Sequence, residues 1–307
     1  MQRLTSVNNI LAFVTVAREG SVSRAAEVLN LTQPAVSHQI KRLGEDTGSV
    51  LFTRTATGLV LTRDGAALRT KAEQVLQALA DFDRSAERRI GQIGGRLRLG
   101  TIVDPEFIRL GQFLVQLRET YSELKPELTH GVSGDVLERL KRNKLDAGFF
   151  LSGPDPYEML PPDSDGQFVF TKLADFRYRV IAPAGWRSEI EGRDWPDLAR
   201  LPWIGTPTSS VHRRLLDNIF RGLGCEQNVV AQVDQEISMI EMVRSGMGLS
   251  LCRESLALHN NQAYGVELSD VVSVDASLSF ATLASRKDTP TLRAVLDLLN
   301  EIWEFSS

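Results

Sequence analysis

The chain has 307 residues, 42% of them hydrophobic, and a formal net charge of -4; that length suits about two domains of ~150 residues each with a sizeable core, and it excludes disorder as the main state. Cys225 and Cys252 are the only cysteines, too few and too isolated for a disulfide framework or a paired-cysteine zinc site, so two buried thiols in a reducing, cytoplasmic compartment are expected. No charged-then-apolar leader opens the sequence and no apolar run nears the ~20 residues of a bilayer span, so no membrane partner is expected. Charge is uneven: residues 1–90 carry 12 Lys/Arg against 9 Asp/Glu, net +3, whereas residues 91–307 carry 23 against 30, net -7. The two regions are expected to meet different partners.

In chain order, "SVNNILAFVTVAREG" sets Val7, Leu11, Val14 and Ala17 at helical spacing, with Ser6 to cap the start and Gly20 to end it. A short second helix follows through "SVSRAAEVL", capped by Ser21, whose Ala25 and Ala26 admit close approach of a neighbour. Asn30 suits a left-handed turn, and Thr32 caps a third helix whose first turn tolerates Pro34 because the amide it lacks would be unpaired there anyway. In that third helix Val36, Ile40 and Leu43 face the core and leave Gln33, Ser37, His38 and Lys41 on other faces. Residue by residue this is an ordinary solvated face; as a set on a helix of major-groove width, after a two-helix turn, it carries base-edge and phosphate-reading chemistry.

The segment 21–65, "SVSRAAEVLNLTQPAVSHQIKRLGEDTGSVLFTRTATGLVLTRDG", closely resembles the winged helix-turn-helix of the LysR-type transcriptional regulators. The shared frame is AAExLxxTQPAVSxQIKRL, then G-x-x-LF-x-R, then LT-x-x-G. The resemblance implies duplex DNA as partner and Ser23, Gln33, Pro34, Ser37, His38, Lys41 and Arg54 as the DNA-contacting set, with Arg54 on the wing and Leu51 and Phe52 in the core. Gly44 stands where the family usually has Glu and Thr47 where it usually has Leu; an interior Gly costs a helix about 1 kcal/mol, which predicts fraying at the helix end.

From Ala66 to Arg89 there is no Pro or Gly, and Leu68, Ala72, Val75, Leu79, Phe82 and Ala86 alternate in steps of four and three. A helix of ~35 Å finds little cover on so small a domain, so pairing with a second chain is the preferred reading over a helix folded back on its own domain. The resemblance likewise implies dimerisation there.

"GQIGG", Gly91 to Gly95, reads as a hinge, and "RLRLGTIVD" as a strand. A helix is predicted over 105–121, a strand over 127–132, a helix over 134–143 and a strand at "LDAGFF". A second series runs from "YRVIAPAG" through "LPWIG", "HRRLLDNIF", "NVVAQVD", "ISMIEMVRSG" and "GLSLCRE"; "SLSFATLAS" and "TLRAVLDLLNEIW" return to the first. Alternating strands and helices predict parallel sheets in two lobes, which resembles the periplasmic-binding-protein-like effector domain of the same regulators. The expected layout is α/β: a DNA-binding domain over 1–65, a linker and dimerisation helix over 66–90, and an effector-binding domain over 91–307, with lobe I about 96–165 and 268–307 and lobe II about 166–267.

Ligands of open α/β sheets sit where strands end and helix N-termini point free amides. The polar junctions "TIVDP", "GVSGD", "GTPTSSVH" and "VDQE" nominate Thr101, Asp104, Ser133, Thr206, Thr208, Ser209, Ser210 and Glu236 as effector-binding residues, with helix capping the competing explanation for each. Hydroxyls and helix N-termini suit an anion, while Asp104 and Glu236 suit a cationic or donor group, so an organic acid or amino-acid-like metabolite fits. Trp203 suits either packing or stacking on an aromatic ligand.

No phosphate loop, nucleophile elbow or paired His-Glu zinc helix is present, and His38, His130, His212 and His259 lie in separate segments. The expected protein is therefore a transcriptional regulator and not an enzyme, without cofactor or metal, acting as a homodimer or homotetramer on duplex DNA and on the transcription machinery. The competing reading is a two-lobed small-molecule-binding protein or enzyme whose N-terminal region mediates association; salt-dependent binding to a duplex separates the two.

Overall fold

The computed structural model describes residues 6–55, 58–86, 93–102, 104–160, 164 and 166–304. The chain forms two compact units, 1–91 and 92–307, and each is taken by itself.

In the first unit α1 (Val7–Glu19), α2 (Val22–Leu29) and α3 (Gln33–Thr47) precede a hairpin of β1 (Phe52–Thr55) and β2 (Gly58–Leu61) and the long α4 (Arg63–Ala86). Local chemistry sets the turns. Gly20 and Asn30 take left-handed conformations at φ 64° and 54°, and the Ser21 and Thr32 hydroxyls accept the backbone N–H of Arg24 and Ala35. Ser6, by contrast, makes no side-chain cap bond.

α1 buries Ala12, Phe13 and Val16, while Val7 and Leu11 remain 37% and 40% exposed. Phe13 sets that orientation by packing edge-on against Phe52 of the hairpin, with ring centroids 5.5 Å apart.

α3 does not fray at Gly44. It runs on to Thr47 and closes on Gly48 in the left-handed region, φ 66°. A side chain at Gly44 would meet the Ser49 carbonyl oxygen at 3.0 Å, and the Gly44 carbonyl accepts the Ser49 amide at 3.0 Å. The missing side chain thus admits the chain that leaves the helix.

The second unit contains β3 (Gly95–Thr101), α5 (Leu110–Thr120), β4 (Leu124–His130), α6 (Ser133–Lys141) and β5 (Ala147–Ser152). It continues with β6 (Phe168–Ala182), the short α7 (Arg187–Ile190) and α8 (Trp195–Ala199), β7 (Trp203–Gly205) and α9 (Val211–Gly222). β8 (Val229–Gln232), α10 (Glu236–Arg244), β9 (Ser250–Arg253), α11 (Glu254–Tyr264), β10 (Glu267–Leu283) and α12 (Pro290–Glu304) complete it.

The sheets are not the purely parallel ones that the alternation predicts. A six-stranded sheet has the order β4-β3-β5-β10-β6-β9, and β7 pairs with β8 in a separate two-stranded sheet. β3 is parallel to β4 and β5, but β10 runs antiparallel to both β5 and β6, and β6 antiparallel to β9. The 17-residue β10 and the 15-residue β6 are each long enough to serve both lobes. β10 meets β5 over Ser277–Thr282 in the first lobe, and β6 meets β9 over Tyr178–Ile181 in the second.

Two apolar clusters follow this division. Phe113, Phe149, Phe280 and Leu299 belong to the first lobe, and Tyr178, Trp203, Leu215 and Leu251 to the second. Trp203 is fully buried and donates its indole N–H to the Leu198 carbonyl at 2.7 Å, so it packs rather than facing a ligand.

The helix predicted from Pro105 starts only at Leu110. Asp104 accepts the Glu106 and Phe107 amides, both at 3.0 Å, making a tight turn, and Arg109 adopts φ 51°. Arg109 is held there by donating to the Ile302 carbonyl at 2.8 Å and lying 4.1 Å from the Trp303 ring centroid, both on α12.

Candidate functional site

On α3, Val36 and Leu43 are buried and Ile40 half-buried, whereas Gln33, Pro34, Ser37, His38 and Lys41 are exposed on the other side of the helix. Ser23 is exposed on α2. Lys41 sits 3.9 Å from Glu45, a solvated i,i+4 pair that holds it weakly. Arg54 belongs to β1 of the hairpin, and its side chain lies outside the described residues. The opening of the recognition-like helix is thus a row of unburied donors and acceptors with a rigid apolar back, the form that groove reading requires.

In the second unit a cleft lies between the two lobes, lined by Asp104, Phe107 and Ser133 from the first and by Thr206, Ser210, His212, Glu236 and Arg253, among others, from the second. Of the nominated residues, Asp104, Ser133, Thr206, Ser210 and Glu236 line this cleft. Ser209 lines a neighbouring groove with His130 and Asp135. Thr101 is buried, its hydroxyl 2.6 Å from His130 Nδ1, and Thr208 is exposed with its carbonyl accepting Arg214 Nε at 3.5 Å; neither lines the cleft.

Two of the nominated serines have structural work. Ser133 Oγ accepts the Leu151 amide at 2.9 Å, and the Ser209 carbonyl accepts the Gly134 amide at 3.0 Å, capping α6 from the opposite lobe. That approach needs a glycine: a Cβ at Gly134 would lie 2.7 Å from the Ser209 oxygen and 2.3 Å from Arg214 Nη2. Thr206 differs. It is only 4% exposed and its hydroxyl oxygen has no hydrogen-bond partner among the described residues.

Asp104 and Glu236 are not open counter-charges for a cationic ligand, because the protein supplies the cation itself. Arg253, whose side chain is 5% exposed, donates Nη2 to Asp104 across the cleft and Nε to Glu236 at 3.0 Å; its backbone amide also donates to Glu236, at 3.2 Å. Its guanidinium carbon lies 4.4 Å from the Phe107 ring centroid. Burial alone would raise the Asp104 carboxyl, but the amide of Phe107 and the Arg253 guanidinium carry it below the ordinary carboxylate range. Burial would lower Arg253, and Glu236 and Asp104 reverse that. His212 is depressed, first by burial, and packs edge-on against buried Tyr178 at 4.6 Å.

Sequence reasoning missed Arg253, Phe107, Tyr178 and His212. The single signal was an arginine ending the apolar run "GLSLC", a residue type that enters a core only with partners. Among the described residues no cluster of three His, Cys, Asp or Glu side chains is placed to hold a metal ion, and no helix is long and apolar enough to cross a membrane.

Both units have counterparts among known proteins. Residues 7–66 match the family "Bacterial regulatory helix-turn-helix protein, lysR family", and residues 91–304 match the "LysR substrate binding domain". The HTH-type transcriptional regulator YofA of Bacillus velezensis is 29% identical over 238 residues, 78% of this chain and 77% of that protein. Full-length CbnR complexed with its target DNA shares the fold at a TM-score of 0.62 and 20% identity, covering 98% of this chain and 100% of the other. The effector-binding domain of QuiR in complex with shikimate does so at 0.57 and 17%, covering 70% and 99%. The curated relatives are regulators rather than enzymes, which sets aside the enzyme reading. With both family domains in order along the chain, the protein belongs to the LysR family of transcriptional regulators.

Proposed function

We propose that α3 enters the major groove of duplex DNA, with Gln33, Ser37 and His38 on base edges and Lys41 on phosphate, while Ser23, Pro34 and Arg54 fix the approach. The observation that carries this reading is the two-faced α3, apolar and buried behind, polar and exposed in front. The structure of CbnR on its target DNA, a protein of the same fold, supports it. A cytoplasmic location accords with a duplex as partner.

Val75, Leu79 and Phe82 of α4 are 45%, 37% and 68% exposed. A helix leaving such a row uncovered suits association with a second chain, as a homodimer or homotetramer, which sets two α3 helices on half-sites. The inter-lobe cleft takes a small effector of the organic-acid or amino-acid-like class; the QuiR domain holding shikimate supports a small organic ligand. Effector binding shifts the balance between lobe arrangements because it binds them unequally, and the DNA-bound assembly passes that shift to the transcription machinery.

The test is duplex binding as a function of salt. A slope of about -0.9 per neutralised phosphate is expected, and Lys41→Ala is expected to flatten it by about one contact. An unchanged slope would remove Lys41 from the interface.

A further inference from the structure

The cleft contains a charge arrangement that a simple ligand pocket does not need. Arg253 is already paired through Nε and Nη2 before any ligand arrives, and its two carboxylate partners come from different lobes. Glu236 belongs to the same lobe, binds both the backbone amide and the guanidinium of Arg253, and is 13% exposed at the side chain. Asp104 touches Arg253 with Oδ2 while Oδ1 accepts the Glu106 and Phe107 amides, and its side chain is 28% exposed. Glu236 therefore orients the guanidinium, and Asp104 is the separable partner.

We propose that Asp104 is an internal stand-in for the effector: it holds Arg253 across the cleft in the free protein, and a small carboxylate with an apolar body displaces it. This rests on the reading that the cleft takes a small molecule, and it names the class and the means of regulation. Exchanging one carboxylate for another keeps the buried guanidinium neutralised, whereas a cationic ligand that drew Asp104 or Glu236 away would leave Arg253 short of a counter-charge, a costly state in a buried site. On release Asp104 keeps both amide bonds of its own turn and a side chain 28% exposed to water, which offset part of what the lost guanidinium pair costs. The site also has an unused donor. Thr206 Oγ1 is buried on the cleft wall without a partner among the described residues, close in sequence to the N-terminus of the 12-residue α9, and a carboxylate oxygen satisfies it. Ile102, Phe107, Leu151 and Met239 supply the apolar walls.

Displacement also has a path outward. Asp104, Phe107 and Arg109 share one turn, Phe107 lies against Arg253, and Arg109 ties the turn to Ile302 and Trp303 of α12. Loss of the Asp104–Arg253 pair removes the charged tie between that turn and the second lobe, leaving the Phe107–Arg253 contact there and the Arg109 contacts with α12 in the first.

The experiment is calorimetric titration of the full-length protein with isovalerate, benzoate and their carboxamides, using wild type, Asp104→Asn, Asp104→Ser and Thr206→Val. Both Asp104 variants keep an oxygen that can cap the turn, and thermal melts check that they fold. Removing a competitor that occupies Arg253 most of the time is expected to tighten acid binding about tenfold in Asp104→Asn and Asp104→Ser, with no gain for the carboxamides. Adding Thr206→Val is expected to cancel much of the gain. Acids bound no tighter by the Asp104 variants than by wild type, no acid binding by either, or equal gains for acids and amides would overturn the proposal. Carboxamide binding that Thr206→Val abolishes, with no preference for acids, would refute the stand-in and leave the cleft reading intact. Acid binding indifferent to Thr206→Val would count against the cleft itself.

Discussion

The outer face of α3 and the inter-lobe cleft use polar side chains in opposite ways. On the outer face of α3, Gln33, Ser37, His38 and Lys41 are exposed, Lys41 in a loose contact with Glu45. In the cleft the strongest charges already satisfy one another through Arg253. A surface that reads DNA is exposed to water and counter-ions, so leaving its groups free costs little; a buried site cannot hold an unpaired charge at comparable cost. Removing a residue from the first should alter binding and spare stability, whereas removing one from the second should alter binding and cost stability.

The largest expected effect is Arg253→Ala, which leaves Asp104 and Glu236 partly buried without their cation and should cost about 3–5 kcal/mol in denaturant unfolding. A loss below about 1 kcal/mol would place the cleft charges with ordinary surface pairs and erase the contrast. Gly134→Ala should cost about 1–3 kcal/mol, because the new methyl meets the Ser209 oxygen and Arg214 and pushes the lobes apart at that rim. On the other side of the comparison, Gln33→Ala should relax discrimination at one or two base pairs by about 1–3 kcal/mol in competition binding, with unchanged melting. Uniform weakening on every sequence would contradict base reading.

Acid titration gives a further, smaller separation. Asp104 and Asp146 are both held below the ordinary carboxylate range, burial opposing and partners prevailing: the Phe107 amide and Arg253 for Asp104, Arg98 and then Arg286 for Asp146. A depressed folded value means the stabilisation is fully present above the unfolded carboxylate range and disappears as pH falls through the folded values, so the second unit should lose stability below about pH 4. Asp146→Asn should shrink that dependence. The smallest expected effect is that of Lys41→Ala on folding, within about 0.5 kcal/mol.

Elements held by short-range chemistry were the legible ones. Asn30 in its left-handed turn, Thr32 as a cap and Val36 and Leu43 on the inner face of α3 each follow from neighbours within a turn or two. Arg109 shows the limit: the apolar spacing after Pro105 resembles a helix, but a contact with α12 nearly 200 residues away turns the backbone the other way. β10 likewise starts ten residues before its apolar run, because pairing with β6 extends it through "ELSDVVSVDA". In the cleft, hydroxyls and carboxylates at strand ends were visible as types, but Arg253 gains its meaning only from Asp104, 149 positions earlier in the chain.

β6 and β10 lie side by side from one lobe into the other, joined midway by the Arg177–Asp275 pair at 3.0 Å. Two bonded strands crossing a boundary resist stretching and shear far better than one linker does, so flexing normal to the ribbon is the soft deformation left to the second unit. A molecule wedged in the mouth of the cleft therefore acts with a lever: a small displacement near the spine of the ribbon becomes a larger one at the outer ends of the lobes.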